Sequence, residues 1–140
     1  MTALDQIKIR DKSDFEHLSL IIEAGFPAVE PLLSHLFEWI QDMNWPVAKR
    51  LAPFLVSIGR PMFPALNEAL TSSDLSWHYS CIDSVIAELP EELAGEYREL
   101  LERLAYNPTP HEKQQELNVV ALDAIRKFGW DSTSSSGQNE

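Results

Sequence analysis

A proline-marked helix start occurs twice in this chain, about one helical hairpin apart. Gly25-Phe26-Pro27-Ala28-Val29-Glu30-Pro31-Leu32-Leu33 returns as Gly59-Arg60-Pro61-Met62-Phe63-Pro64-Ala65-Leu66. The offset is 34 residues from Gly25 to Gly59 and 33 from Pro31 to Pro64. Glycine stops a helix by entering the left-handed region, and proline starts one where its missing N–H does no harm. Trp45 and Trp77, 32 residues apart, add a second echo, each opening an apolar helix. A period of this size is the mark of stacked helix pairs. Such architectures present surfaces more often than they enclose active sites.

The apolar periodicity supports helices throughout, and no stretch alternates like a strand. Seven helical segments are read. Ser13 and Glu16 have capping-box spacing ahead of Phe15, Leu18, Ile21 and Ile22, which Gly25 ends. The second segment runs from about Pro27–Pro31 to Asp42, with Val29, Leu32, Leu33, Leu36, Phe37 and Ile40 as its buried stripe. Asn44 is the expected N-cap of the third, with Pro46 in its first turn and Pro53 bending or splitting it before Gly59. The fourth spans about Pro61 to Leu70. Asp74 or Ser73 caps the fifth, whose stripe reaches Leu89, and Pro90 opens the sixth. Gly95 within the sixth suggests a close helix contact. Thr109 and Glu112, with Pro110 between them, form a second capping box, and Gly129 stops the last helix.

Short connections favour antiparallel neighbours, so the first segment is paired with the second, the third with the fourth and the fifth with the sixth. The seventh caps the stack. The fold expected is all-α, a short right-handed α-solenoid of HEAT-like antiparallel helix pairs with about seven helices. Residues 1-12 are read as an N-terminal extension, 13-130 as the helical domain and 131-140, which lacks apolar residues, as a disordered tail.

Lys and Arg number 11 against 22 Asp and Glu, a formal charge of −11. That balance argues against nonspecific nucleic-acid binding and against docking on anionic lipid, both of which need cations. It favours a basic partner, whose encounter it would steer. Cys81 stands alone, so no intramolecular disulfide framework is expected. The N-terminus lacks a basic region followed by an apolar core, and no apolar run is long enough to span a bilayer. A cytoplasmic chain is expected.

Pro27 to Leu33 and Ile58 to Leu70 resemble the second-helix consensus of HEAT-type repeats, although the period is shorter than the ~40–47 residues usual for them. The tetratricopeptide period is closer, but its Trp, Leu-Gly and Tyr pattern is absent. The stretch from Gly25 through Trp39-Ile40-Gln41-Asp42-Met43-Asn44-Trp45-Pro46-Val47-Ala48 to Ile58-Gly59-Arg60-Pro61 resembles a small bacterial domain-of-unknown-function family. That family carries a nearly identical WLQDMNWPVA segment. The resemblance covers about residues 8 to 128. It implies a bacterial, cytosolic, HEAT-like helical domain, with immunity or antitoxin-type proteins among its relatives.

Trp39, Asp42, Asn44 and Trp45 form the densest unusual chemistry, two indoles flanking a polar turn. Aromatics beside Asp and Asn make good anchors for a protein partner. The opposing reading packs both indoles between repeats and leaves Asp42 and Asn44 as caps. Trp77 and His78 join the protein-binding candidates by lying near the same edge. Asp74, His78 and Cys81 share one helical face and could offer metal ligands, but no second segment supplies partners at a matching spacing. The run Glu88, Glu91, Glu92, Glu96, Glu99 and Glu102 could serve acid–base chemistry only in a cleft, and Arg98 and Arg103 among them suggest a solvated face. No phosphate-binding glycine loop or nucleophile elbow is present.

The function expected is therefore a noncatalytic protein-interaction module with no cofactor or metal, of the immunity or antitoxin-like kind and docking a basic partner. Two alternatives are a metal-dependent or acid–base enzyme using Asp74, His78 and nearby carboxylates, and a structural adaptor of a larger complex.

Overall fold

The computed structural model describes residues 7–131, and those residues form helices and turns without a β-strand. Helix α1 (Phe15–Ala24) buries Leu18 and Ile21. Asp14 caps it, not Ser13: the Asp14 carboxylate accepts the His17 N–H while the Ser13 N–H turns to Asp11. Gly25, at φ 70°, ends α1 as expected. The segment that follows is not one helix. Turns and a 3₁₀ stretch, Glu30–Leu32, lead into a short α2 (Leu33–Glu38), which stops before Trp39. Two prolines so close to its start leave few N–H groups for an α-helical ladder.

Helix α3 (Pro46–Ile58) has Trp45, not Asn44, at its N-cap, and no side chain caps it. Its first turn is satisfied from elsewhere: the Val47 N–H donates to the Lys12 carbonyl at 3.0 Å. Of the expected extension 1-12, residues 7–12 are described, and they lie packed on the domain, with Ile9 only 3% exposed. Pro53 neither splits nor ends α3, which runs through it to Gly59 at φ 78°. The Pro53 ring sits on the solvent side, so the Lys49 carbonyl it leaves without a partner can turn to water. Proline in a helix interior still costs about 3 kcal/mol relative to alanine, offset by ~0.4–1 kcal/mol through the unfolded chain. Pro53→Ala is expected to stabilise the domain by about 2 kcal/mol, read from the urea midpoint at constant slope. A lower midpoint would show that Pro53 is required where it stands.

A 3₁₀ turn, Arg60–Met62, precedes α4 (Phe63–Leu70), repeating the design ahead of α2. Asp74 caps α5 (Leu75–Ser84) as expected, accepting the Ser76 and Trp77 N–H groups. This helix gives way at Val85 to a 3₁₀ turn, Ile86–Glu88, which keeps Ile86 and Leu89 buried without a continuous helix. The sixth segment is divided into α6 (Glu91–Ala94), a 3₁₀ turn at Gly95–Tyr97 and α7 (Arg98–Tyr106). Gly95 marks no close approach, since a Cβ placed there would meet nothing within 4 Å. The Thr109–Glu112 capping box opens α8 (Pro110–Gln114), and Glu116 then separates it from α9 (Leu117–Phe128). The tail assigned to 131-140 lies outside the described residues beyond Asp131.

One apolar core extends from Ile9 to Trp130. Helix α1 lies against α3 and α2 against α4, so like elements of the doubled motif are neighbours. The C-terminal part is organised differently. Helix α9 packs most extensively on α7 and next on α5, so it is a shared neighbour of both. Among the described residues no helix is long and apolar enough to cross a membrane.

Candidate functional site

Three segments far apart in sequence meet around an open groove of about 580 Å³. The α2–α3 turn supplies Asp42, Asn44 and Trp45, the start of α5 supplies Asp74 and Tyr79, and the α8–α9 junction supplies Glu116. The turn is held locally, because the Asn44 N–H donates to Asp42 Oδ1 at 2.9 Å. Trp45 is half-buried and meets Trp39 edge-on, with ring centroids 5.5 Å apart and planes at 60°. Trp39 backs this wall and meets His35 in turn, at 6.4 Å and 77°. Edge-on aromatic pairs of this kind add about 0.5–1.5 kcal/mol beyond the area they bury. The groove floor includes buried Ser80, whose hydroxyl makes a long bond of 3.5 Å to the Gln41 carbonyl.

Glu116 is the non-glycine residue with positive φ among the described residues, at φ 64° and ψ 25°. That conformation costs a side-chain-bearing residue roughly 1–2 kcal/mol, and such outliers gather at functional sites. The interruption of the helix at Glu116 places the α8–α9 junction at the groove. Tyr79 stands among carboxylates. Burial raises its phenol pKa first, and the negative charges of Asp83, Glu116 and Asp123 raise it further.

The carboxylates differ in how far they are compensated by cations. In the glutamate run, Glu88 pairs with Lys127, Glu96 with Arg60 and Glu102 with Arg98, Glu91 accepts the Trp130 indole N–H, and Glu92 and Glu99 take part in no ion pair among the described residues. None of Asp42, Asp74, Asp83, Glu116 and Asp123 takes part in an ion pair among the described residues. Half of the glutamate run is thus compensated by ion pairs, and three carboxylates without an ion pair, Asp42, Asp74 and Glu116, come together in the groove.

The structure brings Asp42, Asn44 and Trp45 together, with Trp39 behind them, and separates Trp77 and His78 from them. Trp77 lines a cleft between α2 and α4, and its indole N–H donates to the Phe37 carbonyl at 2.9 Å. His78 faces another depression beside Arg103 and Glu112, with Nε2 2.8 Å from the Ser72 carbonyl. Asp74 is occupied by its capping bonds and by the Ser76 hydroxyl at 2.7 Å. Cys81 is fully buried, and burial pushes its thiol up to about 12, far from a thiolate at neutral pH. Among the described residues no three His, Cys, Asp or Glu side chains stand together as metal ligands. Tyr79 and Glu116 were invisible as site residues because no local motif links them to the tryptophan turn.

An all-helical domain whose most distinctive surface is an acidic groove edged by aromatic side chains is the class defined by these features. The chain belongs to the family described as a domain of unknown function, DUF5071, which it matches over residues 8–125. No curated protein matches it.

Proposed function

We propose that the domain is a noncatalytic protein-interaction module whose groove receives a basic segment of a partner protein. The observation that carries this reading is the meeting of three carboxylates and two aromatic rings in one groove. Asp42, Asp74 and Glu116, drawn from three separate segments, keep their carboxylates free of ion pairs beside Trp45 and Tyr79 in one groove. Lysine or arginine side chains would meet carboxylates along the groove and aromatic faces at its edge, where cations are attracted to ring quadrupoles. The net charge of −11 would speed the encounter. The helices are read as a short right-handed stack of HEAT-like pairs, a reading supported by the α1–α3 and α2–α4 contacts. In a bacterial cytoplasm this module would suit an immunity-type protein that covers a basic surface on its target.

The experiment is affinity capture from the native host at near-physiological salt with three tagged proteins. These are the wild type, the double variant Asp42→Asn/Glu116→Asn and the outer-face control Glu99→Gln. Asparagine preserves the Oδ1 acceptor at position 42 and tolerates the left-handed backbone at 116. A stoichiometric partner held by the wild type and the control, and roughly tenfold more weakly by the double variant, is the expected result. Recovery of no such partner, or equal retention by all three, would count decisively against the proposal.

A further inference from the structure

The wall of the groove is tied to the N-terminal strap, residues 7–14, through a histidine that must be neutral. The Ile9 N–H donates to His35 Nε2 at 3.1 Å, and the Ile9 side chain is buried. An imidazole nitrogen accepts a hydrogen bond only while its lone pair is free. His35 then touches Trp39, and Trp39 touches Trp45 at the groove edge. The same strap reaches the groove by a second route, because the Lys12 carbonyl accepts the Val47 N–H two residues after Trp45.

We propose that His35 is an acid-sensitive latch on the groove: a proton taken up at Nε2 expels the Ile9 amide, frees the strap and loosens the Trp39–Trp45 wall. The effect on binding rests on the reading of the groove given above; the release of the strap does not. A protonated ring would place an N–H against the Ile9 N–H, leaving a buried donor without an acceptor. The charges that bear on His35 are Glu38 on α2, which favours the proton, and Lys8 on the strap, which opposes it. Burial is the largest influence and holds the imidazole below its ordinary pKa. The unfolded chain therefore takes up the proton first. The stability supplied by this contact is present above about pH 6.5 and declines as pH falls through the depressed folded value. The other anchor, Asp14 with the Arg10 N–H and guanidinium, titrates in a more acidic range, so the two are separable.

The test follows the Ile9 amide protection factor in the full chain as pH is lowered from neutral, in the wild type, His35→Gln and Glu38→Gln. In parallel it measures affinity for a short synthetic peptide rich in lysine and arginine. Glutamine can accept the Ile9 N–H through Oε1 and does not titrate. The wild type should lose protection by up to about tenfold per pH unit between about pH 6.5 and the lower folded pKa, and level off below it. The peptide should weaken in the same window, His35→Gln should show neither change, and Glu38→Gln should move the window to lower pH. Loss of protection in His35→Gln over the same window as the wild type, or constant protection in the wild type, overturns the latch. Strap release with pH-independent peptide binding overturns its coupling to the groove. Absence of peptide binding at every pH overturns the groove reading, and the latch is then judged on Ile9 alone.

Discussion

Asp14→Ala lowers folding stability by about 2–4 kcal/mol in urea denaturation at neutral pH. The Asp14 side chain is only 1% exposed and carries several duties at once. It caps α1 through the His17 N–H, a role worth ~0.5–2 kcal/mol. It also accepts the Arg10 N–H at 2.9 Å, and that donor loses its partner in the variant, at roughly 1–3 kcal/mol. The Arg10 guanidinium is well exposed, so its ion pair adds little after solvent screening. Asp14→Asn keeps an acceptor for the cap and should cost less than alanine. The hydrogen bond and charge of Arg10 lead the influences that hold the Asp14 carboxyl well below the usual carboxylate range, against the opposing effect of burial. On acidification the unfolded chain therefore binds the proton before the folded one. The advantage of wild type over Asp14→Asn should be full above about pH 4 and shrink steadily below it. A difference that stays constant from neutral pH to pH 3 would show that the charge at position 14 contributes nothing.

Phe37→Ala is expected to cost about 3–5 kcal/mol, the range for removing a large ring from a packed interior. Phe37 is 1% exposed and sits in α2, a helix of six residues. A helix so short has little stability of its own, so packing against α4 must hold it. Its carbonyl also accepts the Trp77 indole N–H, joining α2 to α5. Movement of α2 in the variant should be visible in the Trp77 emission as well as in the urea midpoint. A loss below about 1 kcal/mol would mean that the site collapses around the missing ring, and that α2 is held by other contacts.

The parts of this fold legible in the sequence are those decided within a few residues. Gly25, Gly59 and Gly129 stop helices at positive φ, Pro46 and Pro110 occupy first turns, and Asp74 and Thr109 cap as their spacing requires. Where a distant group competes, local signals mislead. Ser13 had the spacing of a capping residue, but Asp14 gains the Arg10 contacts and burial that a serine would not. Asn44 had the chemistry of an N-cap, yet the first turn of α3 is completed by the Lys12 carbonyl, which only the folded strap delivers. The candidate site shows the same division. Asp42, Asn44 and Trp45 were readable because they are contiguous, whereas Tyr79 and Glu116 come to the groove through the packing of α5 and α9. Trp77 and His78 are sequence neighbours, but adjacent helical positions point about 100° apart, and the two face different clefts.

The position of α9 also affects how the chain can be assembled. In an array of self-contained hairpins each unit adds its own increment of stability, and losing the last one trims an end. Here α9 covers apolar surface on both α5 and α7, although Ser84 and Leu117 are separated by α6, α7 and α8. During synthesis from the N-terminus, α5 and α7 emerge with those faces uncovered until Phe128 has been made. A nascent chain halted after Gln114 therefore exposes the interior of the C-terminal half and becomes a target for chaperones and proteases.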